Sequence, residues 1–309
     1  MPNLFISLQP IANFNKKPLV CSVSSHLQTP KDRRQVEIAK ILSLPAEATT
    51  FFMGSCFGEE MHSRLIEKQH TSFSNPFGVI FHPFPLWRNW QLIAQSKDRN
   101  TFDQAFQKEG KFQHQGIFHS LLHANRFQKN SETELLNQVF KASHCAYNQA
   151  SKADLICVTL GTAWIYRHIP TQQFVGNCHK LPQQDFIKSI SKQADIKVHI
   201  EEIAHTIHQI NPRAHIVFTV SPVKHLRDGI QENLRSKSTL ISALHELLAS
   251  AAPNVHYFPA YEIVREELND WAYYKEDHMH PTAAAIDQVF ERFYNSFFGS
   301  NASTLGAAL

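Results

Sequence analysis

The chain has 309 residues, 43% hydrophobic and 18% charged, enough to bury a sizeable core as one large α/β domain or as two smaller ones. Thirty basic residues against twenty-seven acidic give a formal charge of +3, scattered without a basic patch or aromatic interleaving, so nucleic acid is not indicated as a partner. No apolar run approaches the roughly 20 residues that cross a bilayer, and no membrane partner is expected.

Along the chain, residues 1–48 mix Pro, Ser, Gln and charges without sustained period and read as an N-terminal arm packed on the main domain, with a short amphipathic turn or two at Val36 to Leu42. Thr49 to Met53 reads as the first strand and Glu59 to Lys68 as a helix. Thr71 to Ser74 is a weak second strand ending in Asn75-Pro76-Phe77-Gly78, and Pro85 to Gln95 is helical. Residues 98–128, with His114, His119, His123 and several Phe, give no clear order and read as an inserted lid or binding loop. Glu132 to Ala150 is helical, and the apolar run Asp154 to Leu160 has the pattern of a strand buried on both faces. Helix His199 to Ile210, strand Ala214 to Val220, helix Leu240 to Ala249, strand Val255 to Phe258 and helix Thr282 to Phe298 follow, and residues 299–309 form a tail. Alternating strands and helices imply one elaborated three-layer α/β/α domain with a mostly parallel sheet.

Five widely spaced cysteines (Cys21, Cys56, Cys145, Cys157, Cys178) and no signal-like start lead to the expectation of a reduced, cytoplasmic protein. Nineteen histidines show no HExxH, CxxC or finger spacing, so neither a metal nor a cofactor is expected.

Two stretches carry chemistry. In Phe51-Phe52-Met53-Gly54-Ser55-Cys56-Phe57-Gly58 an apolar strand ends at a glycine, followed at once by two nucleophiles and a helix. A side chain there projects from the carboxyl rim of a parallel sheet, and a helix start favours a thiolate. In Asp277-His278-Met279-His280-Pro281 a carboxylate stands three residues before a histidine, the pairing that fixes an imidazole tautomer for proton transfer. The competing reading makes Cys56 a small buried hydrophobe and lets Asp277, His278 or His280 cap the final helix.

Four blocks line up in order: Gly54-Ser55-Cys56-Phe57, Asn75-Pro76-Phe77-Gly78, Gly161-Thr162-Ala163-Trp164 and Asp277 to His280. Together with Gly176-Asn177-Cys178-His179-Lys180 and Thr219-Val220-Ser221-Pro222-Val223, this resembles the SGNH (GDSL-like) hydrolase superfamily and, within it, the GSCFA family. The resemblance covers most of residues 49–298. It implies a flavodoxin-like sheet and an esterase or acyltransferase acting, without a cofactor, on a small O-acyl (acetyl) ester, a carbohydrate ester among the candidates. It places Cys56 at the nucleophile position, with Ser55 as the alternative, and His280 and Asp277 as base and orienting carboxylate. The superfamily's Gly-x-Asn block has Ala163 in place of its Asn, so oxyanion donors are sought in the Cys56 and Gly78 N–H groups, Asn177, and Thr162 beside Gly161. His179 and Lys180 are candidates for an anionic part of the substrate, His119 for the pocket wall, and Lys224-His225 for substrate contact at the rim. The alternative function is a non-catalytic carbohydrate- or metabolite-binding module on the same fold. Oligomeric state is not legible.

Overall fold

A computed structural model describes residues 35–109, 111–250 and 253–298, all within one unit, Gln35–Leu309. Most of the expected arm (1–34) and the tail (299–309) lie outside the described residues. In chain order the elements are β1 (Thr50–Gly54), α1 (Cys56–Glu67), β2 (Ser72–Ser74), α2 (Pro83–Gln95), α3 (Arg99–Phe106), β3 (Lys111–His114), β4 (Ile117–Ser120), β5 (Gln128–Lys129) and α4 (Glu132–Ala150). Then come β6 (Leu155–Leu160), β7 (Trp164–His168), β8 (Gln173–Val175), β9 (Phe186–Ile190), α5 (Gln193–Ile210), β10 (His215–Val220), α6 (Ile230–Leu248), β11 (Val255–Phe258), α7 (Ala260–Glu262) and α8 (Ala283–Phe297).

Because side chains alternate along a strand, each central strand feeds two cores. Phe51, Met53, Ile156, Val158, Leu160, Ile216, Phe218 and Val220 face α2, α4, α5 and α6. Phe52, Leu155, Cys157 and Val217 face the opposite way, onto Phe57, Met61 and Leu65 of α1 and Ile286, Val289, Phe293 and Phe297 of α8. The result is the expected three-layer α/β/α arrangement, with a five-stranded, all-parallel sheet in the order β2-β1-β6-β10-β11. Numbered among themselves, these strands run 2-1-3-4-5, the flavodoxin-like order, whose switch point between β1 and β6 opens a crevice at the carboxyl ends. Gly54 closes β1 at that crevice with φ +142°, and a Cβ there would lie 2.1 Å from the Thr159 carbonyl oxygen. Only glycine lets β1 approach β6 so closely at this turn.

Three segments depart from the sequence expectations. Val36 to Leu42 forms no helical turn. Its Ile41 and Leu42 N–H groups donate to Ser296 O, and Leu44 N–H to Phe297 O, so the segment satisfies carbonyls at the end of α8 that no intrahelical donor reaches. Residues 98–128 are not an irregular excursion: α3 and the antiparallel β3-β4-β5 sheet organise them, and Phe102, Phe106, Leu122 and Phe127 are buried in the main core. After Gly161 the chain builds a further antiparallel sheet, β8-β7-β9, that the sequence reading did not anticipate.

Candidate active site

The carboxyl ends of β1, β2, β6 and β10 deliver the first three sequence blocks and the Ser221–His225 segment to one rim. At the end of β1, Ser55 is 1% exposed and takes the N-cap position of α1, its Oγ accepting the Phe57 N–H at 3.3 Å. In that role Ser55 is buried and its hydroxyl oxygen holds the helix start. Cys56 opens α1 and is half-buried, so its N–H is among the first-turn donors that no intrahelical carbonyl serves.

The thiol departs from expectation in its electrostatics. Burial, followed by the charge of Glu59, raises its pKa above the ordinary value, outweighing the lowering from the helix-start N–H groups. Glu59 is held in place by Asn75, whose Nδ2 donates to Glu59 Oε1 at 3.0 Å while its Oδ1 accepts the Gly54 N–H at 2.8 Å. Cys56 is therefore held as a protonated thiol.

The base candidate comes from a tight turn before α8. Asp277 Oδ1 accepts the N–H groups of Met279 (2.8 Å) and His280 (2.9 Å), and Oδ2 accepts His280 Nδ1–H at 2.6 Å. These bonds, led by the His280 N–H, hold the Asp277 carboxyl well below the usual carboxylate range. An ionised Asp277 keeps the proton on Nδ1 and leaves the Nε2 lone pair available. Thr282, whose Oγ1 accepts the Ala285 N–H at 3.4 Å, is the N-cap of α8, so Asp277 and His280 are not engaged as caps. The His280 side chain is 42% exposed. Its loop is tied to the segment after β10 through Lys224 N–H to Met279 O at 3.0 Å. No hydrogen bond joins His280 to Cys56 or Ser55 among the described residues.

A polar stripe on α6 holds the rim together, and the sequence reading missed it. Asn233, Ser236 and Lys237 are 5%, 3% and 1% exposed and share one helical face by their spacing. Asn233 Oδ1 accepts the His225 N–H at 2.8 Å, and Ser236 Oγ accepts the Ala163 N–H at 2.7 Å and contacts Thr162 Oγ1 at 3.0 Å. Lys237 Nζ donates to Gly161 O and Ser221 O, both at 2.7 Å, bridging the ends of β6 and β10. Burial lowers its pKa to about 7, opposed by the nearby Cys56. Burial also lowers that of His225 to about 3, helped by the charges of Lys237, His280 and Lys188, so the Cys56, Lys237, His225 and His280 side chains share one electrostatic neighbourhood. The signal available in sequence was a helix carrying polar residues at i, i+3 and i+4, which reads by default as a solvent face.

Most of the expected oxyanion donors are engaged elsewhere. The Gly78 N–H donates to Asn75 O at 2.9 Å, and the Gly161 and Thr162 N–H groups donate to Phe81 O at 2.8 and 3.2 Å. These three backbone groups are turn and loop fasteners, because a donor already bonded within a loop has no second proton to offer. Thr162 Oγ1 accepts the Trp164 N–H at 3.0 Å. Asn177 differs: its Oδ1 accepts the His179 N–H at 2.7 Å, which orients the amide and leaves Nδ2 unbonded, on the wall of a cavity of about 310 Å³ shared with Thr162 and His225.

His119 and His179 do not line that cavity. They are 5% and 6% exposed, stacked edge-on at 5.2 Å between ring centroids, with His179 Nε2–H donating to Ser120 O at 2.7 Å. His123 is fully buried beside them, bonded through Nδ1 to Ser120 Oγ at 2.6 Å. Burial is the leading cause that lowers the pKa of all three, to about 3 for His123 and about 4 for His179. Among the described residues no three His, Cys, Asp or Glu groups are arranged to hold a metal ion.

A doubly wound parallel sheet with helices on both faces defines an α/β/α protein of the flavodoxin-like order. The chain belongs to the GSCFA family, whose model matches residues 49–293. No curated protein matches it in sequence. Among solved structures it is similar to an active-site mutant of a family two carbohydrate esterase from Clostridium thermocellum, with 12% identity and a TM-score of 0.38, covering 81% of this chain and 63% of that one. It is also similar to a carbohydrate esterase family 2 enzyme with a carbohydrate-binding domain from Corynascus thermopiles (Myceliophthora fergusii), with 9% identity and a TM-score of 0.42, covering 81% and 65%. A third is the acetyl xylan esterase Est2A from the rumen bacterium Butyrivibrio proteoclasticus, with 11% identity and a TM-score of 0.38, covering 82% and 63%. The chain thus spans less than two thirds of the length of each of these proteins.

Proposed function

We propose that the chain is an SGNH-like esterase or acyltransferase in which Cys56, His280 and Asp277 move a small acyl group, such as acetyl, off an O-acyl ester, carbohydrate esters included. The observation that carries this reading is the three-point hold of Asp277 on the His280 turn, which favours the Nδ1–H tautomer of a part-exposed imidazole. A merely structural carboxylate would not need to orient a 42%-exposed imidazole.

In this scheme substrate binding brings Nε2 and the thiol together, since catalytic hydrogen bonds are often long before substrate binds. Cys56 Sγ attacks the acyl carbon as Nε2 takes the thiol proton. The raised thiol pKa makes this transfer necessary. The Cys56 N–H and Asn177 Nδ2 are the donors assigned to the oxyanion. The C–O bond to the alcohol then breaks as His280 returns the proton to the leaving oxygen. Water or an acceptor hydroxyl attacks the thioester, losing its proton to Nε2, and the sulfur departs and regains it. Purified Cys56→Ala and His280→Ala chains should lose hydrolysis of 4-nitrophenyl acetate, and full activity in either removes the scheme.

A second reading keeps the rim as a binding site without chemistry, and it is favoured by the raised thiol pKa and by the backbone donors engaged within loops. Trapping with substrate decides between them. An esterase incubated with 4-nitrophenyl acetate carries an acetyl thioester on Cys56, read by mass spectrometry as an acetylated Cys56 peptide, whereas a binding module carries none there.

A further inference from the structure

Two cavities leave the rim beside the β8-β7-β9 sheet. The inner, about 310 Å³, is walled by Thr162, Asn177 and His225, and the outer, about 600 Å³, by Lys180 and Phe186. Both include Tyr166, Lys188, Arg227 and Asp228, so they form one groove. Its charge is unbalanced, with three cations against the single carboxylate of Asp228. Lys188 is paired with that carboxylate and lies over the Trp164 ring, 4.8 Å from the centroid. Lys180 and Arg227 are both exposed. Neither is in an ion pair among the described residues.

The chain is also bent to place Lys180 there. His179 and Lys180 have φ of +51° and +57°, successive left-handed conformations that side-chain-bearing residues rarely adopt. The bend is held by the buried His179 imidazole on Ser120 O and by the His179 N–H on Asn177 Oδ1. Strain of this kind survives where the surroundings impose it, and it concentrates at ligand clamps. Of the His179-Lys180 pair, the histidine serves as the anchor and the lysine alone reaches the groove. Arg227, delivered by the turn after His225, supplies the second charge.

We infer that this groove binds a carboxylate or phosphate carried by the substrate beyond its ester, with Lys180 and Arg227 as the ion-pairing groups. The inference rests on the esterase reading only for the statement that the ligand is a substrate. Binding itself requires no turnover.

Calorimetric titration of the full chain with trigalacturonate, glucose 6-phosphate and neutral cellotriose tests it. At least one anion should bind about tenfold or more tighter than cellotriose, with affinity falling as salt rises. The Lys180→Gln/Arg227→Gln double variant should lose about tenfold or more of that affinity. Both side chains are exposed, so an unchanged melting temperature certifies the variant's fold. Binding of trigalacturonate alone assigns a carboxylate, of the sugar phosphate alone a phosphate, and of both an undiscriminating anion site. Anions that bind no better than cellotriose, or a double variant that binds as well as wild type, overturn the inference. The same titration on Cys56→Ala separates the two readings: anion binding with turnover retained would sink the esterase scheme and leave the groove standing.

Discussion

Two regions of this molecule gather imidazoles next to hydrogen-bond acceptors, and they differ in what the acceptor is and in how much water reaches the ring. At the rim, His280 meets a carboxylate and is 42% exposed. In the cluster behind β4, His123 and His179 meet the hydroxyl and carbonyl of Ser120 and are 0% and 6% exposed. Burial without a counter-charge keeps the cluster neutral, so it is a set of shaped, hydrogen-bonded core side chains. At the rim the partner is instead an ionised carboxylate in an exposed turn. What separates the two regions is thus the charge of the partner and not the number of histidines.

The sharpest way to break this contrast is turnover. His280→Ala should lower kcat/KM on 4-nitrophenyl acetate by about 10²–10⁴-fold, while His123→Phe should leave it nearly unchanged, and an equal loss in both would erase the distinction. Lys237→Met comes next. It leaves Gly161 O and Ser221 O without their donor, and urea unfolding should show a loss of about 2–4 kcal/mol. The wild-type Lys237, with its folded pKa near 7, takes up protons in the unfolded chain first, so its contribution to stability rises with pH from about 7 to about 10.5. The difference between wild type and the Met variant should therefore widen across that window.

Acid should separate the two histidine regions further. Below about pH 6.5 the unfolded chain binds protons that buried His123 and His179 refuse until about pH 3 and 4, so stability falls as pH drops through that range. His123→Phe should flatten this fall in a pH series of melting temperatures, and an unaltered slope would show that the ring titrates freely in the folded state. The smallest effect is expected at Ser55→Ala, a loss of about 1 kcal/mol from the missing N-cap with turnover within a few-fold of wild type. Abolished turnover there would hand the nucleophile's part to the serine.

Much of the fold was legible because strand and helix periods leave direct marks. The five central strands appear within a residue or so of their expected positions, since Phe51, Ile156 and Ile216 belong to apolar runs that only a sheet covered on both faces can bury. The two antiparallel sheets were not legible. β7 to β9 and β3 to β5 are short, partly exposed and mixed in polarity, so their pairing follows from neighbours distant in sequence. At the site, Asp277 and His280 could be paired from sequence because a three-residue spacing closes a local turn. Cys56 could be placed at the end of a strand for a similar reason.

What the sequence by itself determined is the layered α/β/α order, the family, and the local units, a strand–Gly–Ser–Cys–helix turn and an Asp-x-x-His turn, because each is encoded within a few consecutive residues. Tertiary structure alone decided that the thiol is raised by burial and then by Glu59, that Gly161 gives its N–H to Phe81, and that α6 turns Lys237 inward. Those outcomes depend on which distant backbone group lies within about 3 Å and on how far water is excluded, and neither is written in the local sequence.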